Sequence, residues 1–287
     1  MILLKKATWA FLLSVVAVSV SPAAAQDRIV SVGGDVTEII YALGLGDAVV
    51  ATDSTSVYPA AATQTPKVGY LRQLSAEGVL SLEPDLIVIS GAAGPPVVID
   101  QLRDSGVKIL ETEAAYTLDS ILKKVDRIAD LLSVREAGAE LRDRIEADSR
   151  RMAERVERLG LSPEILFFVT LRNGAPRAAG TETAAHGVIE LLGGVNSFAG
   201  HTGYKALSLE AAVAADPDII LVMSHHAERL GGADAVKAHP AISLTSAANE
   251  GRIVLVDPVT VMQFSPRTPS AVADLAETIA SRADKEL

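Results

Sequence analysis

The 287-residue chain contains no cysteine. Disulfide staples, thiolate metal sites and a cysteine nucleophile are excluded together. Catalytic signatures are missing as well, with no G-x-S-x-G, no P-loop and no H-E-x-x-H. Gly33-Gly34-Asp35 follows a predicted strand but is not a dinucleotide fingerprint, and the serines and acids show no spacing that singles out a triad. The chain therefore reads as a non-enzyme. Basic residues are the minority, 26 Lys and Arg against 36 Asp and Glu, for a formal charge of −10. Nucleic-acid binding rests on neutralising phosphates with Lys and Arg, so the balance disfavours that partner. It fits a soluble carrier that stays monomeric.

A hydrophobic run of membrane-spanning length is also lacking. Residues 7–20 are almost wholly apolar, short of the roughly 20 residues that a spanning helix needs. They follow Lys5-Lys6 and precede Ala23-Ala24-Ala25, the pattern of an export leader. The pattern predicts a signal peptide over residues 1–25, cleavage before Gln26 and a periplasmic location. No cysteine follows the cleavage point, which excludes a lipoprotein anchor. What remains is long enough for two domains of about 100–200 residues each.

Within that length the chain repeats itself. Gly69-Tyr70 leads to Leu74-Ser75-Ala76-Glu77, then Pro84-Asp85 and the apolar run Leu86–Ile89. Gly203-Tyr204 leads to Leu207-Ser208-Leu209-Glu210, then Pro217-Asp218 and Ile219–Val222. The distance is too long for a solenoid unit. It predicts two lobes of related build with a ligand cleft between them.

The elements alternate as in an α/β fold with mainly parallel sheets. Strands are predicted at 28–32, 48–52, 84–90, 107–111, 165–170, 217–223 and 252–257. Helices are predicted at 36–43, with Gly44 at its end, at 101–105, at 184–192 behind a Thr183 cap, and at 268–283. Asn173-Gly174 reads as a turn. Residues 118–159 contain no proline and carry charges among helically spaced apolar positions. Ser133 and Glu136 form a predicted capping box that restarts the helix. From Val134 to Leu159 that helix would be on the order of 39 Å long. It lies between the two repeat copies and so bridges the lobes as a stiff hinge. The predicted boundaries are 26–117 for the first lobe, 118–160 for the helical connector and 161–287 for the second lobe.

Tyr70 stands in a loop beside Arg72. As a loop tyrosine it needs no function beyond packing, but as a phenolate it would ligate ferric iron. A phenol ionises near a pKa of about 10, and both ferric iron and a neighbouring guanidinium lower that value. The five histidines are His186, His201, His225, His226 and His239. His225 and His226 follow a repeat strand at its carboxyl end, where open α/β sheets bind ligands. With His239 they define a competing reading as a zinc carrier or zinc enzyme, although no H-x-H or H-x-x-x-H pairing accompanies them. His186 starts a helix, where it could cap, face solvent, or enter the cleft as a second iron ligand. Glu77 and Glu210 lie early in related helices. They serve as helix-end charges or as a matched pair of acids that docks on basic patches of a partner.

Arg28-Ile-Val-Ser-Val-Gly-Gly-Asp-Val-Thr-Glu-Ile-Ile-Tyr-Ala-Leu-Gly44 resembles the opening of the periplasmic binding proteins for heme, cobalamin and ferric siderophores. Val68-Gly-Tyr-Leu-Arg72 and the following Leu74 to Leu82 are similar more narrowly to the heme-binding members. Asn173–Pro176, Gly180–Ala185, Gly203–Lys205 and Phe264–Pro269 are similar to their second lobe. The resemblance implies two α/β lobes bridged by one long helix, with ferric heme in the cleft and Tyr70 as the axial ligand through a single Fe–O bond. It implies that Arg72 contacts a propionate or stabilises the phenolate. Arg172, Arg177, Lys205 and Arg267 are further propionate candidates, and Tyr204 hydrogen-bonds or stacks from the other side. It also implies that Glu77 and Glu210 engage an inner-membrane permease driven by its ATPase. Some relatives carry a second histidine ligand near the stretch aligned with Leu171-Arg172-Asn173, and this chain has none there. A ferric siderophore or cobalamin is the rival cargo in the same fold, and an interaction protein without cargo is a further alternative.

Overall fold

Four short apolar strands build the first sheet: β1 (Ile29–Val32), β2 (Val49–Thr52), β3 (Leu86–Ile89) and β4 (Lys108–Glu111). A computed structural model describes residues 28–160, 162–171 and 176–283. The expected leader, Arg172 and the Asn173-Gly174 turn lie outside these residues. The sheet is parallel, in the order β2-β1-β3-β4. Every residue of β1 and β3 is buried, as continuous apolar runs in a sheet covered on both faces require. Helices α1 (Gly34–Ala42), α2 (Ala76–Leu80) and α3 (Pro96–Asp104) connect the strands. Two boundaries differ from expectation. Gly34 and Asp35 already belong to α1, and α3 starts at Pro96, which suits a first helical turn because its missing N–H is not needed there.

The connector is two helices, α4 (Leu118–Leu131) and α5 (Arg135–Leu159). Ile121, Val125 and Ile128 form the buried stripe of α4. The break falls where the sequence indicates, but not by the predicted box. Ser133 takes a left-handed φ of 58°, the N-cap of α5 is Val134, and no side chain caps it. The capping box sits one helix earlier, where the Thr117 hydroxyl accepts from Ser120 N and the Ser120 hydroxyl accepts from Thr117 N. α4 and α5 cross closely at Gly138, where a Cβ would come within 2.5 Å of the Ala129 methyl.

The second sheet comprises β5 (Glu164–Thr170), β6 (Arg177–Ala179), β7 (Val195–Asn196), β8 (Tyr204–Ala206), β9 (Ile219–Met223) and β10 (Ile253–Val256). Its helices are α6 (Ala184–Leu191), α7 (Leu209–Ala215), α8 (Ser224–Leu230), α9 (Ala233–Lys237), α10 (Ser246–Asn249), α11 (Pro258–Val261) and α12 (Thr268–Ala283). The bridging helix α5 packs on α4 toward its start and on α12 toward its end. β7, β5, β9 and β10 are parallel and adjacent in that order, which reproduces β2-β1-β3-β4 element for element. The antiparallel pair β6 and β8 is the second lobe's addition.

The sequence repeat marks equivalent joints. Ser75 caps α2 by accepting from Gly78 N, and Ser208 caps α7 by accepting from Ala211 N. The Pro-Asp pairs staple the start of each lobe's central strand. Asp85 accepts from Arg28 N at 2.8 Å, and Asp218 accepts from Glu164 N at 2.8 Å.

A polar seam joins the lobes beneath the cleft. The Lys124 ammonium donates to Asp35 Oδ2 at 2.8 Å and to the Phe264 carbonyl at 2.8 Å. Ser90 also donates to Asp35, at 3.1 Å. Arg267 donates to both oxygens of Glu38 and lies over the Tyr58 ring. The Gln263 amide donates to the Thr55 carbonyl at 3.0 Å. Removing one member of such a buried pair strands the other, at about 3–5 kcal/mol. Lys124→Met is expected to lose that much stability in urea unfolding. The double variant Asp35→Asn/Lys124→Met is expected to recover a large part of it. Equal loss in the single and double variants would contradict the pairing.

Candidate functional site

A cavity of about 630 Å³ opens between the carboxyl ends of the two sheets and is lined by both lobes. Tyr70 and Arg72 reach it from the first lobe, and Arg177, Tyr204, Met223, His225 and Met262 from the second. The Tyr70 loop is pinned by its backbone. Gly69, at φ 99°, makes a turn that a side chain would strain, its carbonyl accepts from Ser54 N, and Gln73 N closes on the Tyr70 carbonyl. Tyr70 stays 42 % exposed and lines the cavity. Gly203 makes the equivalent turn at φ 76° before Tyr204.

Tyr204 differs from its repeat partner. Burial pushes its phenol up, with Tyr116 adding to the effect, against the opposing pull of Arg72, the Thr183 hydroxyl and the Ala185 backbone. Tyr204 thus stays a phenol at neutral pH, while Arg72 approaches it from across the cleft. Arg177 donates to the Tyr204 carbonyl at 2.5 Å and presents its guanidinium to the cavity. Lys205 is exposed and does not line the cavity, as alternation along β8 dictates. Arg267 is committed to Glu38 in the seam and lines a different depression, which removes it from the propionate candidates. Asp35 and Lys124 meet on the cavity wall and neutralise each other there. Among the described residues the cations left to the cleft are then Arg72 and Arg177, with Glu113 as the opposing acid.

The histidines scatter. His186 lies outside the cleft, on a separate depression of about 470 Å³ that shares Tyr116 with it. Thr183 caps α6 beneath it by accepting from His186 N. Asn196 fixes the ring: its amide oxygen accepts from Phe198 N, so its nitrogen donates to Ala179 O and to His186 Nδ1. The ring proton then sits on Nε2, facing Glu190 at 3.5 Å, and neither nitrogen is aimed at a ligand in the cleft. His225 lines the cleft and contacts His226, with ring centroids 4.2 Å apart. Burial lowers the His225 pKa, and Arg229 lowers it further against Glu228 and Asp257. His239 is buried elsewhere, its Nδ1 accepting from Ala241 N at 3.2 Å. Among the described residues no group of three or more His, Asp or Glu could hold a metal ion, so the zinc reading finds no site there.

Glu77 and Glu210 are exposed in the first turns of α2 and α7. The backbone N–H of Glu210 and the Ser208 hydroxyl hold that carboxyl below its usual range. Tyr116, Lys124, Met223, Met262 and Gln263 escaped the reading of the sequence. Lys124 carried a signal, a charge inside the apolar stripe of α4. Gln263 adjoins the Phe264–Pro269 motif, whereas nothing marked the two methionines.

Two α/β lobes around one preformed cleft define a solute-binding protein of the transport type rather than an enzyme. Residues 29–260 match the family described as periplasmic binding protein, and the chain belongs to that family. The apo periplasmic heme-binding protein RhuT from Roseiflexus sp. RS-1 superposes with a TM-score of 0.85 at 36 % identity, over 90 % of this chain and 100 % of that one. The periplasmic heme-binding protein BhuT in complex with two hemes gives 0.85 at 35 % identity, over 89 % and 98 %. The vitamin B12-binding protein of Vibrio cholerae is 30 % identical over 201 residues, 69 % of this chain and 71 % of its own length. Among the described residues no helix is long and apolar enough to cross a membrane.

The buried His239 ties stability to pH. Burial lowers it from its ordinary value of 6.5, so the unfolded chain takes up a proton that the folded site refuses. Its contribution is complete above that value and is lost as pH falls toward the folded pKa. His239→Asn keeps an acceptor for Ala241 N and is expected to flatten the loss. Unfolding midpoints of both proteins at about pH 7.5 and about pH 5 measure it, and equal pH slopes would contradict it.

Proposed function

We propose that the chain captures ferric heme in the periplasm and delivers it to an inner-membrane ABC permease. The observation that carries the reading is Tyr70, a half-exposed phenol on a pinned turn inside the cleft, with Arg72 and Arg177 approaching from opposite lobes. Heme is a flat apolar disc with a Lewis-acidic iron at its centre and two propionates on one edge. Tyr70 supplies an oxygen ligand to the iron, a known mode of heme ligation. Leu71, Ala92, Val169, Met223, Val259 and Met262 supply apolar wall, worth about 25 cal/mol per Å² buried. Arg72 and Arg177 supply charge-assisted donors for carboxylates. Lys205 reaches a propionate only outside the cavity.

The rivals make less use of these groups. Cobalamin brings its own axial base and ends in amides, so it needs neither a phenolate nor two guanidiniums. A ferric siderophore already saturates its iron with oxygen. The heme-binding neighbours support the first cargo, and the B12-binding relative keeps cobalamin as the alternative to be tested. In this reading the leader over residues 1–25 directs export, and the chain works as a monomer. Glu77 and Glu210, one per lobe, dock on basic patches of the permease, whose ATPase drives uptake.

Hemin titration of the mature protein is expected to give a saturable Soret change with a tyrosinate-to-iron charge-transfer band. Tyr70→Phe is expected to abolish that band. Arg72→Ala is expected to keep it and to weaken binding about 10- to 100-fold, the loss of one charge-assisted contact. Saturable binding of cobalamin or a ferric siderophore with none of hemin would overturn the reading. Glu77→Ala and Glu210→Ala are expected to leave hemin affinity unchanged and to lower stimulation of the permease ATPase in proteoliposomes. A loss of hemin affinity in those variants would contradict the docking role.

A further inference from the structure

We propose that a depression of about 350 Å³ beyond the seam is a second binding site, for a small monocarboxylate that carries a ring. Its size is within the range of small-molecule sites, and it shares no lining residue with the cleft. Gly34 and Asp35 of α1 line the cleft, whereas Glu38, Tyr41 and Ala42, about one to two turns further along the same helix, line the depression. The second lobe divides in the same way, with Met262 and Gln263 on the cleft and Pro266, Arg267 and Ser270 on the depression. The bridging helix α5 completes the wall with Leu141, Arg144 and Ile145. A molecule held there touches both lobes and the helix that joins them, whatever the cleft carries.

The donors set the charge of the ligand. Glu38 engages Arg267 only through the backbone N–H and Nε. Among the described residues no acceptor takes the terminal Nη groups, and Nη2 is buried without a partner. An unpaired buried donor is costly, and the end of a guanidinium fork matches a carboxylate. The Arg267 side chain is 28 % exposed. The ring stacked on it, Tyr58, is half exposed, so a modest shift of that ring brings Nη2 within reach of an entering acceptor. Arg144 is the second cation, exposed on α5, and among the described residues no ion pair or hydrogen bond claims it. The acids of the wall are already held, Glu38 by Arg267 and Asp148 by Arg151. One uncompensated cation selects a single negative charge. Tyr41, Tyr58, Pro59 and Pro266 offer flat faces, which suit a ring as the ligand's body. Because the depression spans the Glu38–Arg267 contact, an occupant stabilises the lobe arrangement by mass action.

The test titrates the mature protein, without cargo and at constant ionic strength, with benzoate as the probe. Acetate, which lacks the ring, and benzamide, which lacks the charge, are the controls. Benzoate is expected to raise the thermal unfolding midpoint saturably, and by more than either control at equal concentration. Calorimetric titration gives its affinity in the variants, with circular dichroism confirming that each is folded. Arg144→Ala is expected to weaken benzoate about tenfold, the loss of one charge-assisted contact. Ser270→Glu sets a carboxylate beside Arg267 and is expected to abolish binding. Arg72→Ala alters the cleft alone and is expected to leave benzoate affinity unchanged. Benzoate affinity lost in Arg72→Ala and kept in Arg144→Ala would place the probe in the cleft and overturn the assignment. No saturable effect of benzoate on the wild type, or equal effects of benzoate, acetate and benzamide, would also overturn it.

Discussion

The cleft exists because a buried ammonium needs partners that only the assembled lobes provide. Lys124 and Asp35 are both nearly removed from water, and the second acceptor of Lys124 is the carbonyl of Phe264, far along the chain in the second lobe. Desolvating two charges costs several kcal/mol, and their attraction offsets that only in good geometry with the remaining valences filled. Any rotation of one lobe that moves the Phe264 carbonyl away leaves Lys124 short of an acceptor. The pair adds little net stability over an apolar substitute. It acts instead as a registration contact that penalises other lobe arrangements. Glu38 obeys the same logic, since burial pushes its carboxyl up while Arg267 pulls it down. Its charge therefore depends on the second lobe staying in place.

This changes where the stiffness of the molecule resides. A long bridging helix alone is a spacer, able to bend gently over its length. The segment from Gln263 to Arg267 is the clamp, because it makes three separate polar contacts with the first lobe and its connector. Phe264 takes a positive φ of 52° and is fully buried. A non-glycine residue held in that region costs of order 1–3 kcal/mol and persists where its surroundings over-determine it. Here the surroundings are the Lys124 bond to its carbonyl and the edge-on Tyr116 ring. A cleft held in this way is formed before ligand arrives, so less binding energy goes into ordering it.

The architecture was legible because its signals are periodic and local. Buried parallel strands read as apolar runs, the Leu-Ser and Pro-Asp pairs recur at matched positions, and Thr183 caps α6 as its sequence context indicates. The failures share a different physical cause. The break at Ser133 was placed correctly for the wrong reason, since a left-handed corner and a capping box both favour small polar residues and sequence spacing does not separate them. His186 and Arg267 carried the right chemistry for the cleft but had already found partners, Asn196 just beyond the same helix and Glu38 far away in the first lobe. Met223 and Met262 line the site through tertiary placement alone. What a side chain can do was readable, and which other group claims it first was not.

That priority of claims also bears on the anionic cargo proposed for this acidic protein. Most of its excess negative charge lies more than a Debye length of about 8 Å from any given point at physiological ionic strength, so the −10 of the whole chain has little reach into the cleft. The local balance decides. Asp35 is neutralised by Lys124 and Glu38 by Arg267, whereas Arg72 and Arg177 face the cavity with Glu113 as the opposing acid. Among the described residues, the two cations held in the seam leave two others for the ligand, one on each wall. Both guanidiniums are exposed, so a neutral tetrapyrrole that entered would forgo two charge-assisted contacts without stranding a buried charge. The same pairing that fixes the lobes therefore also leaves Arg72 and Arg177 as the positive charge that the described part of the cleft offers a ligand.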